Sequence, residues 1–348
     1  MHGGFNLMKN ALTQHAKKST ALSLPGNLGA IALAWNRLDI QATTFSLWYE
    51  TKALLAPSVP DSFTSLAHAK DILDIITSNI LAVIRSKGPD FYQSTPQSPN
   101  DPPLPEVLRA QLSELKDTLQ CWLDVFEGFL ISNEIDMFNK KDPNSGEIRE
   151  IVGHHALLIQ HRISYIWLCT PFSRAQRVHD ANLTAFTTIT DLAETILRLQ
   201  PNRQWHYQLT ADTSIIQPLF YVAQKCRDGH LRRRAHRLLA HAGREGVWDG
   251  QCSAAACEFI IANEEEGLNE GVIGSIDEGS EGYVEEKYRL RGAIVKYNRY
   301  GKMLSITCKR TREDGLDEVI EGFMKWGEVD GVLYGEQDKL WQNGALFG

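Results

Sequence analysis

The sequence predicts an all-α fold, an irregular multi-helix assembly closed by a small C-terminal β-hairpin. Three observations predict it. Apolar residues recur at steps of three and four over most of positions 1–267. One proline-dense stretch interrupts them, and alternation of period two sets in only near the end. With 348 residues, 43% of them hydrophobic and 23% charged, the chain is large enough to bury its own core without cross-links.

The first helix is predicted around Ala34, Leu38, Ala42, Phe45 and Tyr49, ending before Pro57. The two strongest stripes follow. Leu66, Ala69, Leu73, Ile76, Ile80 and Val83 form one; Leu108, Leu112, Leu115, Leu119, Trp122, Phe126 and Phe129 form the other. Each gathers its apolar groups on one face that must be covered, because burial contributes roughly 1.5–3 kcal/mol per large side chain. Between them, Ser86 to Glu106 carries prolines at 89, 96, 99, 102, 103 and 105. Proline lacks a backbone donor and blocks helix, so about 86–106 is expected to be an exposed, disordered loop.

Further stripes come from Val152, Ala156, Ile159, Ile163 and Ile166, and from Phe186, Ile189, Ala193 and Ile196. Pro218 belongs in the first turn of a helix through Val222 and Cys226. Leu231, Ala235, Leu238, Leu239 and Ala242 line the next, which Gly243 terminates. Asp249 is placed to N-cap a helix containing Ala255, Phe259 and Ile260. Past Gly267, Arg291, Ala293, Val295 and Tyr297 alternate, as do Leu304, Ile306 and Cys308, with Arg299-Tyr300-Gly301-Lys302 as the turn. The organisation is therefore a helical domain over 1–267 and an acidic linker with a hairpin appendage over 268–348. No repeat of fixed period marks a solenoid.

Charge and cysteine usage narrow the function classes. A net charge of -7 repels phosphates, so the whole surface is not built to grip nucleic acid. The cysteines, at 121, 169, 226, 252, 257 and 308, are scattered through apolar runs, and no secretory h-region opens the chain. Disulfides are not expected, and a reducing nuclear or cytosolic compartment fits. No apolar run approaches 18 residues, so no transmembrane helix is expected.

A P-loop, a dinucleotide glycine fingerprint and a Gly-x-Ser-x-Gly elbow are missing from the sequence. Gly271-Val272-Ile273-Gly274 lacks a following helix and is taken as loop. His154, His155 and His161 invite a metal reading, but 154 and 155 diverge by about 100° on a helix, and no His-Glu-x-x-His occurs. Cys252 and Cys257, five apart, chelate poorly and are expected to be buried thiols. No catalytic, cofactor-binding or metal-ligating residue is assigned. Arg227, Arg232, Arg233, Arg234 and Arg237, with His230 and His236, could contact phosphate or serve nuclear import; a solvated helix face is the favoured expectation. From Glu258 to Glu286 there are ten acids and no Lys or Arg. Such a stretch could dock a coactivator, but a solvated linker is preferred.

One block is less generic. Pro218-Leu219-Phe220-Tyr221-Val222-Ala223 leads through Lys225-Cys226-Arg227-Asp228 to Arg232-Arg233-Arg234-Ala235, Leu238-Leu239 and Arg244-Glu245-Gly246-Val247-Trp248-Asp249. It resembles the late helices of the regulatory domain in fungal zinc-cluster transcription factors. Arg37-Leu38-Asp39-Ile40-Gln41-Ala42 looks like a second marker of that family upstream. The resemblance implies an all-helical regulatory domain, nuclear residence, and control of transcription through effectors or protein partners, including a dimer with an intact relative. It also implies a DNA-binding cluster of six cysteines and two zinc ions at the N-terminal side. Here no Cys precedes Cys121, so that zinc cofactor and direct sequence-specific DNA binding are not expected of this chain. A metabolite-sensing module is the alternative. An accessory enzyme of a fungal biosynthetic pathway is a lesser one, with His154, His155, Asp212 and Glu245 as the residues to test.

Overall fold

The computed structural model describes residues 27–45, 53, 55–86, 104–133, 145–170, 172–173, 175–200, 207–208, 214–269, 284–298, 303–312 and 315–325. The chain is mostly helical: eight α-helices occur among the described residues, with a three-stranded antiparallel sheet near the C-terminus. None of these helices is long and apolar enough to cross a membrane. The described residues fall into two compact units, one running to Phe172 and the other including Ser173–Gln208 and the chain from Ile215 onward.

The first unit holds helices α1 (Asn27–Phe45), α2 (Leu66–Arg85), α3 (Glu106–Ser132) and α4 (Ser145–Cys169). Helix α2 packs against α1, α3 and α4. It starts where the Ser65 hydroxyl accepts the His68 N–H at 3.1 Å, answering one of the donors a helix start leaves open. Both expected stripes are buried: Leu73, Ile76 and Ile80 of α2 and Leu119, Trp122 and Phe126 of α3 are fully enclosed. Trp122 stacks on Phe126 at 4.7 Å between centroids and donates its indole N–H to the Ala69 carbonyl at 2.9 Å. A large aromatic is thereby buried with its one polar group answered. Helix α1 is described as far as Phe45; Tyr49 lies outside the described residues. So do 87–103 of the proline-rich stretch, and α3 begins directly after Pro105.

The second unit opens with a 3-10 turn (Gln176–Asn182) and contains α5 (Leu183–Leu199), α6 (Ile216–Lys225), α7 (Gly229–His241) and α8 (Gly250–Asn269). Short strands β1 (Tyr207–Gln208), β2 (Arg244–Glu245) and β3 (Trp248–Asp249) pair in that order. Gly243, with φ 72°, closes α7 in the left-handed conformation that a side chain would resist. The Asp249 carboxylate then accepts the Cys252 N–H at 3.0 Å and opens α8, as expected from sequence. Pro218 is the third residue of α6, where no intrahelical donor is needed.

The expected hairpin carries a third strand. Strands β4 (Arg291–Asn298), β5 (Met303–Thr311) and β6 (Asp317–Lys325) run antiparallel with β5 in the centre. Leu304, Ile306 and Cys308 of β5 alternate inward and pack with Ala255, Ala256 and Ile260 of α8. Gly322 faces the same helix: an added Cβ there would meet the Phe259 ring at 2.2 Å. The missing side chain lets the aromatic ring lie directly on the strand.

Candidate functional site

The block from Pro218 to Asp249 supplies the acids that cap three helix starts, α6 from a distance and α7 and α8 from the adjoining residue. The Glu245 carboxylate of β2 accepts the Ile215 N–H at 3.1 Å and the Ile216 N–H at 3.2 Å, capping α6 from 30 residues downstream. Asp228 accepts the Leu231 N–H at 2.7 Å and starts α7. Trp248 is buried against Phe220, 5.6 Å between ring centroids. Carboxylates at helix N-termini answer open donors and complement the helix dipole. Glu245, one of the residues singled out for enzymatic chemistry, therefore has a structural partner set.

At the centre of the block the arginines depart from expectation. Arg232 is fully buried, not solvated, and Arg227 is nearly so. Both bind one carboxylate oxygen of Glu264 on α8, Arg227 Nη1 at 2.9 Å and Arg232 Nη2 at 2.7 Å. The other Glu264 oxygen accepts the Leu290 N–H at 2.7 Å. Burial alone would raise the Glu264 pKa, but Arg232 and Arg227 outweigh it and hold the carboxyl below its ordinary range. Burial pulls the Arg227 pKa down, with Arg289 and Arg232 adding to the fall. Arg233 pairs with Glu265, and Arg234 with Asp191 and Glu194 of α5. Only Arg237 among the five is exposed.

The acidic stretch is corrected in the same way. Glu258 to Asn269 belong to α8, and Glu264 is buried rather than part of a solvated linker. Residues 270–283 lie outside the described residues. Glu286, beyond them, accepts the Gln176 N–H at 2.6 Å and the Arg177 N–H at 2.7 Å. Its neighbour Arg289 is buried and grips Asp180 with two N–H groups at 3.1 and 2.9 Å. Lys225 donates to Gln176 Oε1 at 2.6 Å. Burial, then Arg227, brings the Lys225 pKa down to about 8. One connected polar network thus ties the 3-10 turn, α6, α7, α8 and the segment before β4.

A groove of about 370 Å³ lies beside α7, lined by Leu183, Thr187, Asp228, His230, Leu231, Arg233, Arg234 and Arg237. Its three arginines are balanced by Asp228 on the wall and by Asp191, Glu194 and Glu265 as ion-pair partners. It is not a cationic trough.

The histidines belong to the first unit and to its core. His161 is buried, stacks on Trp122 at 5.8 Å, and donates through Nε2 to the Leu119 carbonyl at 3.2 Å. Burial, aided by Arg162, brings its pKa down to about 4. His155 donates through Nδ1 to the Ile151 carbonyl at 2.8 Å, and His154 lies against Phe126 at 6.0 Å. Burial lowers both of their pKa values. Asp212 lies outside the described residues, and Glu245 belongs to the second unit. Among the described residues no group of three or more His, Cys, Asp or Glu is arranged to hold a metal ion. Cys252 and Cys257 are buried thiols, and burial pushes the pKa of the first up to about 12 and of the second higher still.

Sequence reasoning missed Glu264, Arg289, Lys225 and Asp180 as members of this network, and the buried His179 of the same 3-10 turn. A signal existed for Glu264. Cys257, Ile260, Ile261 and Glu264 follow steps of three and four, so the acid extends a buried stripe.

Taken together, the fold and the site define a class only: a mostly helical protein with a small C-terminal sheet and an internal ion network. No protein-family model, curated protein or solved structure matches the chain.

Proposed function

We propose that the chain is a nuclear, helical regulatory module of the fungal zinc-cluster transcription factor kind, acting through protein partners or effectors and without enzymatic activity or direct DNA reading of its own. The observation that carries this is the construction of the block that resembles that family. Pro218 to Asp249 uses its acids as helix caps, its tryptophan as a packing anchor and two of its arginines as internal struts. Such residues specify a scaffold rather than a reaction centre. The upstream marker behaves alike: Arg37 bonds Asp71 at 2.6 Å and Asp74 at 3.0 Å on α2, locking α1 to its neighbour.

The experiment expresses the full chain in a filamentous fungus, fused to a heterologous DNA-binding domain over a reporter promoter. A change in reporter transcript of about fivefold or more in either direction, with the chain in nuclei and co-purifying with a defined partner, is expected. An unchanged reporter, with a monomeric chain confined to the cytosol, overturns the reading.

A further inference from the structure

We propose that the cation cluster around Arg227 and His179 is a binding site for a small oxyanion carrying a phosphate group. The inference goes beyond the regulatory reading and stands without it. Its first ground is the state of the Arg227 guanidinium, whose side chain is only 3% exposed. Nη1 is bonded to Glu264, but Nε and Nη2 have no hydrogen-bond partner. These two groups form the side-on edge of the guanidinium, the pair that holds two oxygens of one oxyanion. Buried donors of this kind are normally answered.

The second ground is His179, which is 6% exposed and whose Nδ1 has no partner. Tyr221 covers the ring edge-on at 5.8 Å. Lys225 bonds Gln176 in the same 3-10 turn, Arg289 grips Asp180 next along the chain, and Tyr221 belongs to the helix that leads to Arg227. Burial, then Lys225, Arg227 and Arg289, hold the imidazole well below its usual pKa. The nearby carboxylates already face other donors. Glu264 serves Arg227, Arg232 and the Leu290 N–H; Asp180 serves Arg289; Glu286 serves the N–H groups of Gln176 and Arg177. Among the described residues, no carboxylate bonds the open edge of Arg227. Lys225 is half-buried, whereas Arg227 and His179 are buried. A doubly charged tetrahedral anion matches a guanidinium edge, an ammonium and an imidazole better than a single carboxylate does.

The test uses the full chain, with inorganic phosphate and glycerol phosphate as probes against sodium chloride at equal ionic strength. Calorimetric titration is expected to give one saturable site, and the melting temperature to rise by about 2–4 °C at tenfold the dissociation constant. Tighter binding of glycerol phosphate marks a phosphomonoester as the natural class, and equal or tighter binding of inorganic phosphate marks the free ion. Arg227→Met and His179→Gln are each expected to weaken binding tenfold or more, while Arg237→Met on the exposed side of α7 leaves it unchanged. His179→Gln and Lys225→Met keep the test intact should Arg227→Met not fold. Equal stabilisation by phosphate and chloride overturns the proposal, as does wild-type affinity in the His179→Gln and Lys225→Met variants. Succinate binding as tightly as phosphate overturns the phosphate assignment.

Discussion

The two units differ in the polar chemistry at the centre of each core. In the first, imidazoles are held neutral inside an aromatic and aliphatic core, stacked on Trp122 and Phe126. In the second, full charges are buried, with Arg227 and Arg232 meeting on Glu264. A neutral ring pays little for burial until acid reaches it. A buried charge depends at every pH on its partner, because removing one member strands the rest. The histidine cluster of the first unit should therefore respond to protons and the Glu264 cluster of the second to single substitutions. The division is by cluster, since His179 is a neutral imidazole of the second unit and Asp74 a buried charge of the first.

Glu264→Ala gives the largest expected effect. It leaves Arg227 and Arg232 buried without their shared carboxylate and opens the Leu290 N–H, for a loss of about 3–5 kcal/mol. Urea unfolding followed by tryptophan fluorescence measures it, and a loss under about 1 kcal/mol would erase the contrast between the units. Next comes pH. His161 has a folded pKa of about 4, below its unfolded value of about 6.5. The unfolded chain thus binds the proton first, and stability falls as pH drops from about 6.5 towards 4. From this residue the loss approaches about 3 kcal/mol, with His154 and His155 shifting in the same direction. His161→Gln should flatten the unfolding midpoint between pH 7 and 5; an unchanged slope places the proton uptake elsewhere. The smallest effect belongs to Arg234→Ala on the rim of α7. Its pairs with Asp191 and Glu194 are partly exposed, and such pairs contribute about 0–1 kcal/mol. A thermal shift as large as that of Glu264→Ala would show that rim and interior arginines act alike.

The same contrast explains what the sequence disclosed. Helices α2 and α3 were legible because Leu66 to Val83 and Leu108 to Phe129 sort cleanly into two faces. The helix-opening role of Asp249 was legible for a local reason, since cap and donor lie three residues apart. The ion network was not. Arg227, Arg232 and Glu264 look like members of charge runs, and their pairing spans 32 to 37 positions. Composition alone favours water for such residues. Strand β6 was missed because its two faces mix types: Ile320 and Met324 point inward, while Val319 shares the outer face with Glu321. Alternation that is apolar on both sides carries little signal.

Glu286 reaches back 110 positions to hold the start of the 3-10 turn, and Leu290 brings its amide to Glu264. A polypeptide stopped by a premature codon just after α8 would keep all eight described helices yet lose both of these tethers. Its product would leave one oxygen of Glu264 without its backbone donor and the turn at Gln176 uncapped. The small terminal sheet and its approach segment are thus a keel for helices synthesised long before them, and nascent chains complete this half of the protein only when the ribosome has passed β6.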